Sequence, residues 1–198
     1  MLGVDNPQAL DFPEQCETER LLIRPPRPGD GAAMHAAVME SLAELRPWLP
    51  WAVNPASAEE YETLCRRKYA EWLLRDDLML TLWRKADGVF VGASGLHRID
   101  WSVPCMEIGY WCRTSLSGQG YITEAVRGIT RFAFEHLRAQ RLEIHCDERN
   151  SRSAAVAQRA GYALEALRRN AARGTDGTLR HVLVFVRFPE GAPQQHQG

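Results

Sequence analysis

The sequence predicts an α/β (α+β) fold: one mixed, mostly antiparallel central sheet with helices on both of its faces. Three observations carry that expectation. Apolar residues recur at alternating and helical spacings in the order β-α-α-β-β-β-α-β-α-β-β. A strand, a glycine turn, a helix and a further strand form one βαβ crossover, which makes "CMEIGYWC" and "RLEIHCDE" parallel neighbours. The three strands ending with "CMEIGYWC" are joined by links too short for crossovers, so they pair antiparallel.

Each element has its own signal. "RLLIRPP" reads as a short strand closed by prolines. "GDGAAMHAAVMESLAEL" reads as a helix with Asp30 as its cap. In "RPWLPW" two prolines bracket two residues and deny both helix and ladder, so it is a loop. Ser57 and Glu60 have capping-box spacing at the start of a second helix. "LMLTLWRK", "VFVGASGLHRI" and "CMEIGYWC" are strands, with the turn "ADG" between the first two. The next helix places Ile122, Ala125, Val126, Ile129, Phe132, Ala133 and Leu137 on one face. "RLEIHCDE" is a strand, "NSRSAAVAQRA" a helix ended by Gly161, and "ALEALR" and "TLRHVLVFVRF" complete the sheet around the loop "GTDG". Residues 1–190 read as a single domain and residues 191–198 as a disordered polar tail.

Composition narrows the function classes. With 45% hydrophobic and 25% charged residues the chain has an ordinary globular balance. No apolar run reaches the roughly 18 residues of a membrane span, and the first twenty residues do not resemble a signal peptide. A net charge of −1 gives no pull toward nucleic acid. Cys16, Cys65, Cys105, Cys112 and Cys146 are scattered without CxxC spacing, which points to reduced thiols in a cytoplasm and to no metal site. Charge is uneven. Residues 28–62 hold Asp30, Glu40, Glu44, Glu59, Glu60 and Glu62 against Arg46 alone, whereas residues 138–180 are rich in arginine. One end is suited to a cation and the other to an anion, although solvated helix faces explain any single residue equally well.

The stretch "SLSGQGYITEA" carries the chemistry. Gly118 and Gly120 break the chain just before a helix and leave backbone N–H groups free at the helix start, a ready anion site. A tight turn without a ligand is the competing explanation. A Walker loop needs Lys-Ser/Thr after its last glycine, and Tyr121 and Ile122 stand there. A dinucleotide fingerprint has Thr123 at its third glycine, and Asp147 or Glu148 lies beyond the roughly 20-residue spacing of its acid.

With "EIGYW", "GQGYITEA" and "NSRSAAVAQRAGY" in this order, residues 17–188 resemble the GNAT superfamily of acetyl-CoA-dependent N-acyltransferases. More narrowly they resemble the branch of bacterial ribosomal-protein N-terminal acetyltransferases. The chain departs from the family pattern at Ser115, where glutamine or arginine is usual. The resemblance implies acetyl-CoA as co-substrate, no metal, and strands splayed at the coenzyme site. Backbone of Leu116, Ser117, Gly118, Gln119, Gly120 and Tyr121 would cradle the pyrophosphate. Trp111, Cys112 and Arg113 would receive the pantetheine arm as an added strand, with an oxyanion donor near Cys112, and Asn150 would touch the arm while capping its helix.

The tyrosine that many members use as acid is replaced by Ala157, so Ser153 is the expected proton donor to the thiol. Glu107 is the expected base. The glutamate used by ribosomal-protein enzymes is missing from "RNAAR" at residues 169–173. His145 and Asp147 share a strand face and could hold a water, and Trp48 and Trp51 could wall the acceptor site. Cys112 and Cys146 read as inert thiols. The expected activity is direct acetyl transfer in a ternary complex to a protein N-terminus or a small cationic amine. The alternatives are a non-catalytic acyl-CoA sensor on the same fold and a nucleotide enzyme. A homodimer is compatible with the sequence, which does not determine it.

Overall fold

The computed structural model describes residues 3–191. Residues 192–198, which hold nearly all of the expected disordered tail, lie outside the described residues. The elements are β1 (Cys16–Glu17), β2 (Leu21–Arg24), α1 (Gly31–Leu45), α2 (Ala58–Leu74), β3 (Leu78–Arg84), β4 (Phe90–Asp100) and β5 (Cys105–Cys112). After them come α3 (Tyr121–His136), β6 (Arg141–Asp147), α4 (Ser151–Arg159), β7 (Ala163–Arg173) and β8 (Leu179–Arg187). The eight strands form one sheet in the order β1-β2-β3-β4-β5-β6-β8-β7. Among the described residues only β5 and β6 pair in parallel, as the crossover requires; the other neighbours are antiparallel. This is the mixed, mostly antiparallel sheet read from the sequence.

Alternation along β3 sorts the two faces. Leu78, Leu80 and Leu82 join Ile122, Val126, Ile129 and Phe132 of α3 in the larger core. Met79 and Trp83 point the other way, toward Met34, Ala37 and Val38 of α1 and Tyr61 and Cys65 of α2. Helices therefore cover both faces. Each large apolar side chain buried on α3 contributes about 1.5–3 kcal/mol, which holds α3 firmly behind β5.

The capping box at α2 forms in both directions: Glu60 N–H donates to Ser57 Oγ at 3.2 Å and Ser57 N–H to Glu60 Oε2 at 2.7 Å. Asp30 occupies the cap position of α1, but its side chain caps nothing. Its carboxylate accepts from Arg24 Nη1 and Nη2 at 2.7 and 2.9 Å and from Arg27 N–H at 2.7 Å. Glu62 of α2 takes over, accepting from Gly29 and Gly31 N–H at 2.9 and 3.3 Å. The helices cross so closely there that a Cβ on Gly31 would stand 2.5 Å from the Glu62 backbone.

Two strands exceed the sequence reading. β1 is a two-residue edge beside β2, too short to leave a periodic signal. β7 continues through residues 169–173, with a register irregularity after Arg168 where Asn170 takes φ 49° and donates its N–H to His181 Nδ1 at 2.9 Å.

Candidate active site

The link from β5 to α3 is tied down by α1. Ser41 Oγ accepts from Thr114 N–H at 2.9 Å, Glu40 accepts from Ser115 N–H at 2.9 Å and from Arg113 Nε at 2.6 Å, and Thr114 donates its hydroxyl to Glu44 at 3.0 Å. Leu116 and Ser117 N–H close a short helical turn onto Arg113 and Thr114 carbonyls, both at 3.0 Å. Gly118 and Gly120 then take φ 77° and 82°. Among the described residues no side chain caps α3. Among the described residues the N–H groups of Gly118, Gln119, Gly120, Tyr121, Ile122 and Thr123 have no protein acceptor. The donor set thus starts two residues later than the sequence reading placed it and runs one turn into the helix.

Space and charge at this turn favour an anion. A Cβ on Gly118 would meet nothing within 4 Å, and one on Gly120 only Arg20 Nη2 at 3.5 Å. Arg20 donates to the Gln119 carbonyl at 3.0 Å, lies 4.3 Å over the Tyr121 ring and pairs with Glu124 at 2.6 Å. A depression of about 520 Å³ beside Gly120 is lined by four arginines, Arg20, Arg127, Arg131 and Arg159, against two acids, Glu19 and Glu124. The helix dipole adds to the same field.

Beyond the turn, β5 and β6 part. Their pairing covers only Cys105, Met106 and Glu107 opposite Arg141, Leu142 and Glu143. Arg113 N–H donates to the Val91 carbonyl at 2.8 Å, and the β4–β5 register alternates from there. In an antiparallel ladder every second residue turns its main chain to the partner strand. Trp111 and Gly109 thus face β4, whereas the main-chain groups of Cys112 and Tyr110 face the gap. Gly92 permits this geometry, because a Cβ there would stand 2.2 Å from the Trp111 carbonyl oxygen.

The far side of the gap is closed by α4. Asn150 Oδ1 accepts from Ser153 N–H at 3.1 Å, the cap expected of it. Ser153 Oγ donates to Tyr110 Oη at 3.1 Å, and Tyr110 donates to the Ser153 carbonyl at 2.9 Å. Burial pushes the Tyr110 phenol well above its ordinary range, which keeps it protonated. Tyr110 is the partner of Ser153 that sequence reasoning missed. It stands in "EIGYW", which the sequence reading takes as part of a strand and of the family resemblance, with no role given to the tyrosine.

A second cavity, of about 790 Å³, opens between α1, α2, β4 and β5; its walls include Leu49, Trp51, Tyr61, His97, Gly109 and Trp111. Trp51 is 42% exposed and stands edge-on to Trp111 with ring centroids 5.9 Å apart. Trp48 is not part of that wall. Its carbonyl accepts from Arg180 at 3.4 Å, and Pro47 beside it accepts from Thr175, so this half of the loop is turned to the β7–β8 hairpin. Glu107 Oε2 is held by Arg98 at 2.5 Å and by His145 Nδ1 at 3.2 Å, and His145 Nε2 lies 2.6 Å from Glu143. His145 and Glu107 therefore form one hydrogen-bonded group beside the end of the parallel pairing, outside the cavity wall.

Other expected groups are engaged elsewhere. Asp147 accepts from Arg149 Nη2 at 2.8 Å and from its N–H at 2.9 Å, and its side chain is 1% exposed, so it braces the β6–α4 turn instead of holding a water with His145. Most of the acidic stretch is engaged within the chain: Asp30 and Glu40 pair with Arg24 and Arg113, and Glu44, Glu60 and Glu62 accept at the caps and ties described above, whereas Glu59 is exposed. Burial pushes the Cys112 thiol to about 11 and raises Cys146 as well, so neither is a thiolate nucleophile at neutral pH. Among the described residues no group of His, Cys, Asp and Glu is placed to hold a metal ion, and no helix is long and apolar enough to cross a membrane.

A splayed parallel pair, an amide cradle at the helix behind it and a hydroxyl pair across the gap define an acyltransferase of the acyl-CoA-dependent class. The family profile described as "Acetyltransferase (GNAT) domain" matches residues 20–163, and the chain belongs to that family of acetyltransferases. It is 34% identical over 148 residues to "Putative ribosomal N-acetyltransferase YdaF" of Bacillus subtilis (strain 168), covering 73% of this chain and 78% of that protein. Among solved structures it is similar to a RimL ribosomal L7/L12 alpha-N-protein acetyltransferase in complex with coenzyme A (TM-score 0.78, 22% identity, 86% of this chain and 95% of that one). It is also similar to the Microcin C7 self immunity acetyltransferase MccE in complex with acetyl-CoA (TM-score 0.81, 17% identity, 87% and 94%). At these identities the two structures show the shared fold.

Proposed function

We propose that this acetyltransferase moves acetyl from acetyl-CoA directly to the α-amine of a protein N-terminus. The observation that carries the reading is the continuity of the free N–H groups of residues 118–123 with the gap beyond Glu107 and Glu143. The amides and the α3 dipole bind the diphosphate, and the free main chain of Tyr110 and Cys112 pairs with the pantetheine amides as an extra strand. The Cys112 N–H then polarises the thioester carbonyl and stabilises the oxyanion. Ser153, backed by Tyr110, protonates the departing thiolate.

The acceptor class rests on two supports. The curated relative YdaF is named for ribosomal N-acetylation, and the 790 Å³ cavity with its Trp51, Leu49 and Trp111 wall suits an extended peptide end. A small cation draws less support, because two of the acids expected to attract it, Asp30 and Glu40, are paired with Arg24 and Arg113. Five free thiols agree with a reducing cytoplasm. Calorimetry with acetyl-CoA, followed by thiol release against N-terminal peptides and small amines, tests the reading. Micromolar binding with peptide-dependent release is expected. Absence of binding would overturn it, and release with small amines alone would move the acceptor class.

A further inference from the structure

His97 stands on β4 opposite Glu107 of β5, in the wall of the acceptor cavity. Two glycines make room for its ring. A Cβ on Gly95 would lie 2.6 Å from Cε1 and 2.7 Å from Nε2, and one on Gly109 would lie 3.3 Å from Cδ2 and 3.5 Å from Nε2. The imidazole therefore covers the strands at the two positions before Trp111. Its Nδ1 is 2.7 Å from Oδ2 of Asp77, which lies between α2 and β3. A carboxylate only accepts, so Nδ1 carries a proton, and in the neutral imidazole Nε2 is then the acceptor. Nε2 has no protein partner among the described residues.

From this we infer that His97 accepts the proton of the attacking amine and that Asp77 positions it. The inference rests on the acetyl-transfer reading and supplies the base which that reading lacks. The α-ammonium gives one proton to His97 Nε2, and the freed amine nitrogen bonds to the thioester carbon as the carbonyl electrons move to oxygen. Collapse breaks the C–S bond, and the second nitrogen proton passes to solvent. Ser153 protonates the thiolate and is reprotonated from solvent, and His97 releases its acquired proton to solvent through the cavity.

Glu107 fits the role less well, because its Oε2 is shared between Arg98 and His145 and it stands outside the cavity wall. The charged groups around His97 are Asp77; Lys68, Arg67 and Glu60 of α2; and Glu107 and Arg98 on the strands. Lys68 Nζ lies 3.2 Å from Asp77 and 2.6 Å from Glu71. Burial pushes the Asp77 carboxyl up, but His97 and Lys68 outweigh it and hold the group below its usual range. Asp77 therefore stays an anion while the enzyme works.

The test compares His97→Gln, Asp77→Asn and Glu107→Gln with the wild-type chain. It follows thiol release with an N-terminal peptide from roughly pH 6 to 9.5, alongside acetyl-CoA binding and thermal stability. His97→Gln is expected to lower kcat about 100-fold at pH 7, with acetyl-CoA binding unchanged. The deficit should narrow about fivefold or more above the α-amine pKa of about 8, where the acceptor is already neutral. Asp77→Asn, which keeps the ring, should lose about 10-fold with the same pH trend. A His97→Gln enzyme within about threefold of wild type at pH 7, or a loss equal at every pH, would overturn the assignment. The same holds if Glu107→Gln alone shows the pH-dependent loss. A wild-type chain that binds acetyl-CoA yet releases no thiol with any amine would remove the transfer reading, and the base with it.

Discussion

Replacing Gly120 by glutamate separates the anion site from the turn that forms it. Gly120 caps α3 at φ 82°, and a Cβ there meets only Arg20 Nη2 at 3.5 Å. A side chain at this φ costs about 1–2 kcal/mol. A carboxylate beside the first turn regains about 0.3–1 kcal/mol from the helix dipole. The net loss of about 1 kcal/mol lowers Tm by roughly 2–4 °C in a chain of this size. The ligand term is larger. One charge about 5 Å from a phosphate, at an effective dielectric of about 20, is repelled by about 3 kcal/mol. Acetyl-CoA Kd should rise about 100-fold. Calorimetric titration reads this directly, with Gly120→Ala as the control that carries the strain without the charge and stays within about fivefold of wild type. Wild-type affinity in Gly120→Glu would refute the diphosphate assignment. Equal losses in both variants would show that turn shape, not charge, governs binding.

Tyr110→Phe and Ser153→Ala should each lower kcat by about 10- to 100-fold in steady-state thiol release, with acetyl-CoA affinity within about threefold, because they act on the leaving thiolate. Gly92→Ala should cost more than about 3 kcal/mol in denaturant unfolding, since its methyl would stand 2.2 Å from the Trp111 carbonyl oxygen. Arg149, through its hydrogen bonds first, holds the Asp147 carboxyl below its usual range. That contribution to stability is complete above the unfolded carboxyl pKa of about 3.9 and is lost as pH falls toward the folded value. Asp147→Asn should therefore be less stable than wild type at neutral pH, and the gap should close on acidification in urea melts.

The capping box of Ser57 and Glu60 was legible because both partners lie within one turn. The Asp30 cap failed for the same kind of reason in reverse. A local rule competed with Arg24 on the preceding strand and with Glu62, 33 residues from Gly29, and the tertiary partners won. The acidic stretch shows how charge counts mislead: sequence shows that Glu40 is negative, but not that Arg113 and the Ser115 amide lie within reach. Trp48 and Trp51 were read as a pair, yet the short helical turn at Pro50–Ala52 and the hairpin contact of Pro47 turn them to different neighbours.

Strand and helix order, the glycine break before α3, the crossover and the Asn150 cap all follow from forces acting over one to four residues, and all could be read along the chain. The proton-handling groups could not. Tyr110 and Ser153 are 43 residues apart and His97 and Asp77 are 20 apart. What brings the pairs within hydrogen-bond distance is the register of β3 on β4, which sets Leu78 opposite Leu96, and the packing of α4 against β5. The gap between β5 and β6 is decided in the same way. Both strands carry ordinary strand sequences, and only the closed sheet determines that pairing stops after Glu107 and leaves the main chain of Tyr110 and Cys112 free for a ligand.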